Sequence, residues 1–170
     1  MREIKQLLII GIAILTLSCS SDDNDDADVT LEGTWKLTTF TTSDAIDYNQ
    51  DGNATTDFMA ETNNCYADNT LVFKAANTVD ASGSFLDVEV QTQTGTTNLI
   101  IETNCTNDNQ VDTYSWSQSG NNITVANVGT GILSSNTLAF TTPQGTLLTT
   151  IENNTEVFTL TDIVQVYTKQ

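Results

Sequence analysis

Asp112-Thr113-Tyr114-Ser115-Trp116-Ser117-Gln118-Ser119-Gly120-Asn121-Asn122-Ile123-Thr124-Val125-Ala126-Asn127 is the stretch that decides the fold. Large apolar residues alternate with polar ones on both sides of Ser119-Gly120-Asn121. A period of two is that of a strand with one face buried. Gly and Asn tolerate the left-handed backbone that a tight hairpin turn needs. The segment therefore predicts antiparallel strands over 112–118 and 122–127.

The same grammar extends in both directions. From Leu31 onward the chain is rich in Thr, Val, Ile and aromatic residues, and its single proline is Pro143. Short alternating runs bounded by Asn, Asp, Gly and Ser predict further strands over 32–41, 69–74, 84–91, 97–103, 132–141, 145–151 and 156–168. Residues 56–63 carry the one helical suggestion. The last strand puts Phe158, Leu160, Val164 and Val166 on one face and Val157, Ile163 and Tyr167 on the other. A strand apolar on both faces lies inside a structure or bends between layers. Consecutive strands with short connections favour an antiparallel up-and-down order. Eight to nine of them predict an all-β closed barrel, which removes exposed edges. A two-sheet β-sandwich is the alternative.

Leu31-Glu32-Gly33-Thr34-Trp35-Lys36-Leu37 opens the first strand. Its Gly-x-Trp resembles the opening of lipocalin-like barrels, in which the tryptophan packs across the closed end. Further along come Cys65 before Leu71-Val72-Phe73, Cys105 before Tyr114-Ser115-Trp116, the Gly120-to-Ile123 turn and Leu138-Ala139-Phe140. Their order resembles the bacterial lipocalin-like lipoprotein family over roughly 31–168. The resemblance implies a small calyx able to hold an apolar ligand. It does not identify that ligand, because fold does not fix function. Core packing is the simplest role for Trp35, Trp116, Phe73, Phe85 and Phe140.

The N-terminus reads as an address. Arg2 and Lys5 precede an apolar run from Leu7 to Leu17, the length of a signal-peptide core. It is too short for a membrane span, which needs ~20 residues. Leu15-Thr16-Leu17-Ser18-Cys19 resembles a lipobox, with Thr16 where Leu is usual. The resemblance implies cleavage before Cys19 and its acylation, palmitate included; acyl chains anchor at ~0.8 kcal/mol per buried CH₂. Ser20-Ser21-Asp22-Asp23-Asn24-Asp25-Asp26 follows. It is too polar to pack and resembles the acidic export tract of Gram-negative surface lipoproteins. The expected organisation is a signal peptide at 1–18, an acidic disordered tether at 19–30 and one barrel domain at 31–170. The expected location is the outer membrane, lipid-anchored and cell-surface exposed.

The chain carries 5 Lys and Arg against 22 Asp and Glu, a net charge of −17. After loss of the signal only Lys36, Lys74 and Lys169 are basic. Nucleic acid and anionic lipid headgroups are excluded as partners, because both need a basic footprint. The chain has no histidine, which removes nucleophile–His hydrolysis. Carboxylates are plentiful, but no pair is singled out for acid–base work, so no enzyme activity is expected. Cys65 and Cys105 form an even pair in an exported chain and predict a disulfide. Closing that loop contributes roughly 3–4 kcal/mol on the chain-entropy model.

One motif carries ion chemistry. In Asp47-Tyr48-Asn49-Gln50-Asp51-Gly52-Asn53-Ala54-Thr55-Thr56-Asp57, oxygen ligands alternate and a glycine makes the sharp turn. Asp47, Asn49, Asp51 and Gly52 match the opening of an EF-hand loop, and the Asn53 carbonyl follows in register. The bidentate Glu of an EF-hand would fall on Phe58; Asp57 lies one residue early and Glu61 three late. Asp47, Asn49, Asp51, Asn53 and Asp57 are the expected ligands of a structural calcium ion. An Asp-Gly turn held by Asx hydrogen bonds is the plain alternative.

These readings converge on a non-enzymatic surface lipoprotein whose barrel binds a small apolar or amphipathic ligand. The rival is a surface interaction or glycan-facing accessory module with a filled barrel.

Overall fold

The computed structural model describes residues 30–107 and 109–170. The signal segment 1–18, Cys19 and the acidic tether up to residue 29 lie outside the described residues.

The described chain forms β1 (Gly33–Ile46), β2 (Thr55–Asp57), α1 (Phe58–Glu61), a 3-10 turn (Cys65–Asp68), β3 (Thr70–Lys74), β4 (Thr78–Ser82), β5 (Phe85–Thr92), β6 (Leu99–Thr106), β7 (Asp112–Ser119), β8 (Asn122–Val125), β9 (Gly129–Ser134), β10 (Thr137–Glu152) and β11 (Thr155–Lys169). Eight strands close a ring in the order β1-β3-β4-β7-β8-β9-β10-β11, and β11 pairs back onto β1. Every neighbouring pair is antiparallel. The fold is thus a closed up-and-down barrel, not a sandwich. The seam runs from Trp35↔Lys169 to Thr42↔Ile163, with a register shift between Leu37 and Thr39.

Alternation fills the interior. Trp35, Leu37, Leu71, Phe73, Val79, Ile123, Val125, Leu138 and Phe140 are buried in one cluster. Phe73 meets Trp35 edge-on at 6.4 Å and Trp116 at 5.6 Å. An eight-stranded ring is just wide enough for side chains to fill. Trp35 is fully buried and its Nε1 donates to the Leu31 carbonyl at 2.7 Å. The Lys169 Nζ lies 5.7 Å from its ring centroid, a cation–π contact. Tryptophan, the entering chain and the last strand together close this end. At the opposite end α1 and the 3-10 turn act as a plug: Phe40 packs on Phe58 at 4.9 Å and on Tyr66 at 5.1 Å, and Tyr48 lies 5.6 Å from Phe58.

The strands differ from the sequence pattern in several places, among them β1, which runs on to Ile46, and β2, which takes the start of the run expected to be helical. β4 was not legible, because Thr78-Val79-Asp80-Ala81-Ser82 has one large apolar residue and hence little periodicity. The run 132–141 is two strands, since Ser135 takes φ 50° and turns the chain between β9 and β10. Conversely, β10 continues through the predicted break around Pro143, with a register shift between Thr142 and Thr146. A bulge tolerates proline, which cannot donate to a ladder. Gly145 is required there, because a Cβ would lie 2.7 Å from Ile163 Cγ1.

β5 and β6 are strands, but they form a separate hairpin outside the ring, which closes beneath it by pairing β4 with β7. β10 and β11 also outrun the ring and pair only with each other from Thr146↔Thr161 to Glu152↔Thr155. On that extension the two-faced apolar pattern of β11 is not fully covered: Phe158 and Leu160 are more than half exposed. The barrel, its seam and its core cluster all lie within residues 30–170, so this segment holds what it needs to fold on its own.

Candidate functional site

The chemically distinctive residues gather at the plugged end, where β1 leaves the ring. The loop after β1 is organised by its own side chains. The Asp47 carboxylate accepts from the Asp51 and Gly52 N–H groups, each at 2.9 Å. The Asn49 Oδ1 accepts from Asp51 N–H at 3.0 Å, and the Asp51 Oδ1 accepts from Asn53 N–H at 2.8 Å. Asp47, Asn49, Asp51 and Asn53 are therefore brought together. Asp57 lies outside this set: it caps α1, accepting from Met59 and Ala60 N–H. The carboxylate that reaches back to the loop is Glu61, one turn further along α1. It is 3 % exposed, and its Oε2 accepts from Tyr48 N–H at 2.7 Å and Asn49 N–H at 3.2 Å. No local sequence pattern marks Glu61 for this role; the packing of α1 against β1 turns it toward the loop. Among the described residues no three His, Cys, Asp or Glu side chains form a metal-holding group; beyond the carboxylates, the loop offers amide, hydroxyl and backbone carbonyl oxygens.

The predicted disulfide is present: Cys65 in the 3-10 turn is bonded to Cys105 in β6, with Cα atoms 5.5 Å apart. It fixes the base of the β5–β6 hairpin to the plug. Asp68 reinforces this junction, accepting from Ser84 N–H at 2.9 Å, Ser84 Oγ at 2.8 Å and Asn107 Nδ2 at 2.7 Å. Burial disfavours its charged form, yet the hydrogen bonds from Ser84 and Asn107 outweigh that and hold its carboxyl below the ordinary value. In the plug itself, burial and then the neighbouring Tyr66 push the Tyr48 phenol up to about 12.

The hairpin's far end is held by one residue. Asn154, at the tip between β10 and β11, accepts from Leu99 N–H at 2.5 Å and donates to the Thr97 carbonyl at 3.0 Å. Tied at base and tip, the hairpin bridges a cleft of about 620 Å³ between β6, the end of β1 and the β10–β11 extension. Ile46, Leu99, Ile101 and Ile151 supply apolar wall, while Asp44, Asp47 and Glu152 supply carboxylates. None of the fully packed core residues lines it. The cleft joins three segments distant in sequence and has no local signature. No protein-family model, curated protein or solved structure matches the chain.

Proposed function

We propose that the chain is a non-enzymatic, lipid-anchored outer-membrane lipoprotein of the lipocalin-like type, exposed at the cell surface, that binds a small amphipathic ligand. The observation that carries the ligand reading is the cleft at the plugged end: its 620 Å³ falls in the ~300–1,000 Å³ range of small-molecule sites. The barrel with Trp35 at its closed end supports the lipocalin-like assignment. The filled interior favours the alternative of a surface interaction or accessory module, so the ligand is assigned to the cleft rather than to a calyx. Anchoring rests on Cys19 and its preceding segment. Labelled palmitate fed to Gram-negative cells making the full chain is expected in the protein and in the membrane fraction. Equal labelling of Cys19→Ser would sink the anchor.

We further propose that the loop holds a structural calcium ion. The donors are all oxygens, as a hard cation requires. Asp47, Asn49, Asp51 and the Asn53 carbonyl would hold the ion, and Glu61 would brace the loop from α1. Bound there, calcium would neutralise carboxylates crowded into one turn; affinity in the ~0.1–1 mM range of extracellular modules is expected. A thermal melt of 30–170 in millimolar calcium is expected to shift upward, and Asp47→Ala/Asp51→Ala is expected to abolish the shift. An unchanged melt in both proteins would remove calcium from the account.

A further inference from the structure

The chemistry of the cleft narrows its ligand, granting the small-ligand reading above. Its apolar wall comes from three elements: Ile46 at the end of β1, Leu99 and Ile101 on β6, and Ile151 on β10. On β5–β6 one face is apolar by alternation. Toward the base, Leu86 and Val88 pack on the core; toward the tip, Leu99 and Ile101 face the cleft instead. Half of that face is thus consumed by folding and half is left to the cleft. Both ends of the hairpin are secured, by Cys65–Cys105 and by Asn154, so the wall is held in place before any ligand arrives.

The polar part of the lining has one sign. Asp44, Asp47 and Glu152 contribute carboxylates, and among the described residues no Lys or Arg lines the cleft. Asp44 is fixed by the hydroxyls of Ser43 and Thr161, both at 3.2 Å. A neutral apolar ligand would strip water from these carboxylates without compensation, which is costly. An anionic ligand would add repulsion. A cation offsets both terms, while its apolar body removes the isoleucine and leucine surface from water.

We propose that this cleft binds small cationic amphiphiles, with the ammonium meeting the carboxylates of Asp44, Asp47 and Glu152 and the hydrocarbon lying against Ile46, Leu99, Ile101 and Ile151. The test is calorimetric titration of residues 30–170 with octylammonium, octanol and octanoate, in calcium-free buffer so that Asp47 is not shared with an ion. Octylammonium is expected to bind, to weaken as salt is raised, and to exceed octanol by about tenfold or more; octanoate is expected to give no heat of binding. Ile101→Arg, which places a bulky cation in the cleft, is expected to abolish binding. Asp44→Asn/Glu152→Gln, at exposed positions, is expected to erase the preference over octanol while leaving the melt unchanged. Octylammonium binding that is indifferent to Ile101→Arg in a protein of unchanged melt would overturn the cleft assignment and this inference with it, while still showing that the protein binds a small ligand elsewhere. Equal binding of all three probes would overturn the charge argument alone. Absence of binding by every probe to the folded protein would overturn this inference together with the small-ligand reading, in favour of the accessory module.

Discussion

Single positions show how little slack this fold leaves. At Gly83, φ is +149°, and an added Cβ would lie 2.1 Å from the Asn69 side-chain oxygen and 2.6 Å from its Cα. Neither strain nor clash can be relieved by a side-chain rotation, because one of the contacts is backbone. Gly83→Ala is expected to cost more than ~1 kcal/mol, read as a lower urea midpoint; an unchanged midpoint would show that the turn can re-form. Tyr48 and Tyr167 make a pH prediction. Burial disfavours the phenolate at both, and each is pushed from 10.0 up to about 12. The folded state holds these protons more tightly than the unfolded chain, so their contribution is complete below pH ~10 and is lost as pH rises toward ~12. Tyrosinate absorbance and circular dichroism should therefore change together in that window. Ordinary titration of all four tyrosines in a folded protein would contradict it.

At the scale of elements, the chain separates what closes the barrel from what decorates it. The β5–β6 hairpin is absent from the ring, so its attachments act on the plugged end alone. Reducing Cys65–Cys105, which closes a separation of 40 residues, is expected to lower stability by roughly 3–4 kcal/mol. The ring's β signal should survive in the reduced protein at moderate temperature, because none of its strand pairings involves the hairpin. Loss of all β structure on reduction would mean that the hairpin is part of the folding core. The long β10–β11 pair is built on different terms. Within the ring it has neighbours on both sides, and Ile163 and Tyr167 are buried; beyond it Phe158 and Leu160 face water. The same alternating pattern therefore buries one stretch and leaves the next exposed, according to whether β1 is there to complete the layer.

For the whole molecule, the consequence of closure is a barrel occupied by its own side chains. Trp35→Ala would leave a cavity at the closed end and free the Leu31 carbonyl, and it is expected to cost ~3–5 kcal/mol; a loss below ~1 kcal/mol would mean that the end collapses to fill the space. By itself the sequence determined the all-β class, the antiparallel order, the hairpin at Gly120, the disulfide and the Asx-organised turn from Asp47 to Asn53. Each depends on neighbours in the chain or on chemistry that few residue types supply: alternation, turn residues, an even cysteine pair, oxygens spaced around a glycine. Only the tertiary structure decided which strands belong to the ring, that β4 completes it with Val79 as its single large apolar residue, and that Glu61 rather than Asp57 turns toward the loop. It alone assembled the cleft, since Asp44, Ile101 and Glu152 are brought together by closure of β11 on β1 and by the two ties on the hairpin. Those are contacts between residues far apart in sequence, set by which layers remain to be covered once the ring has closed, and no local pattern encodes them.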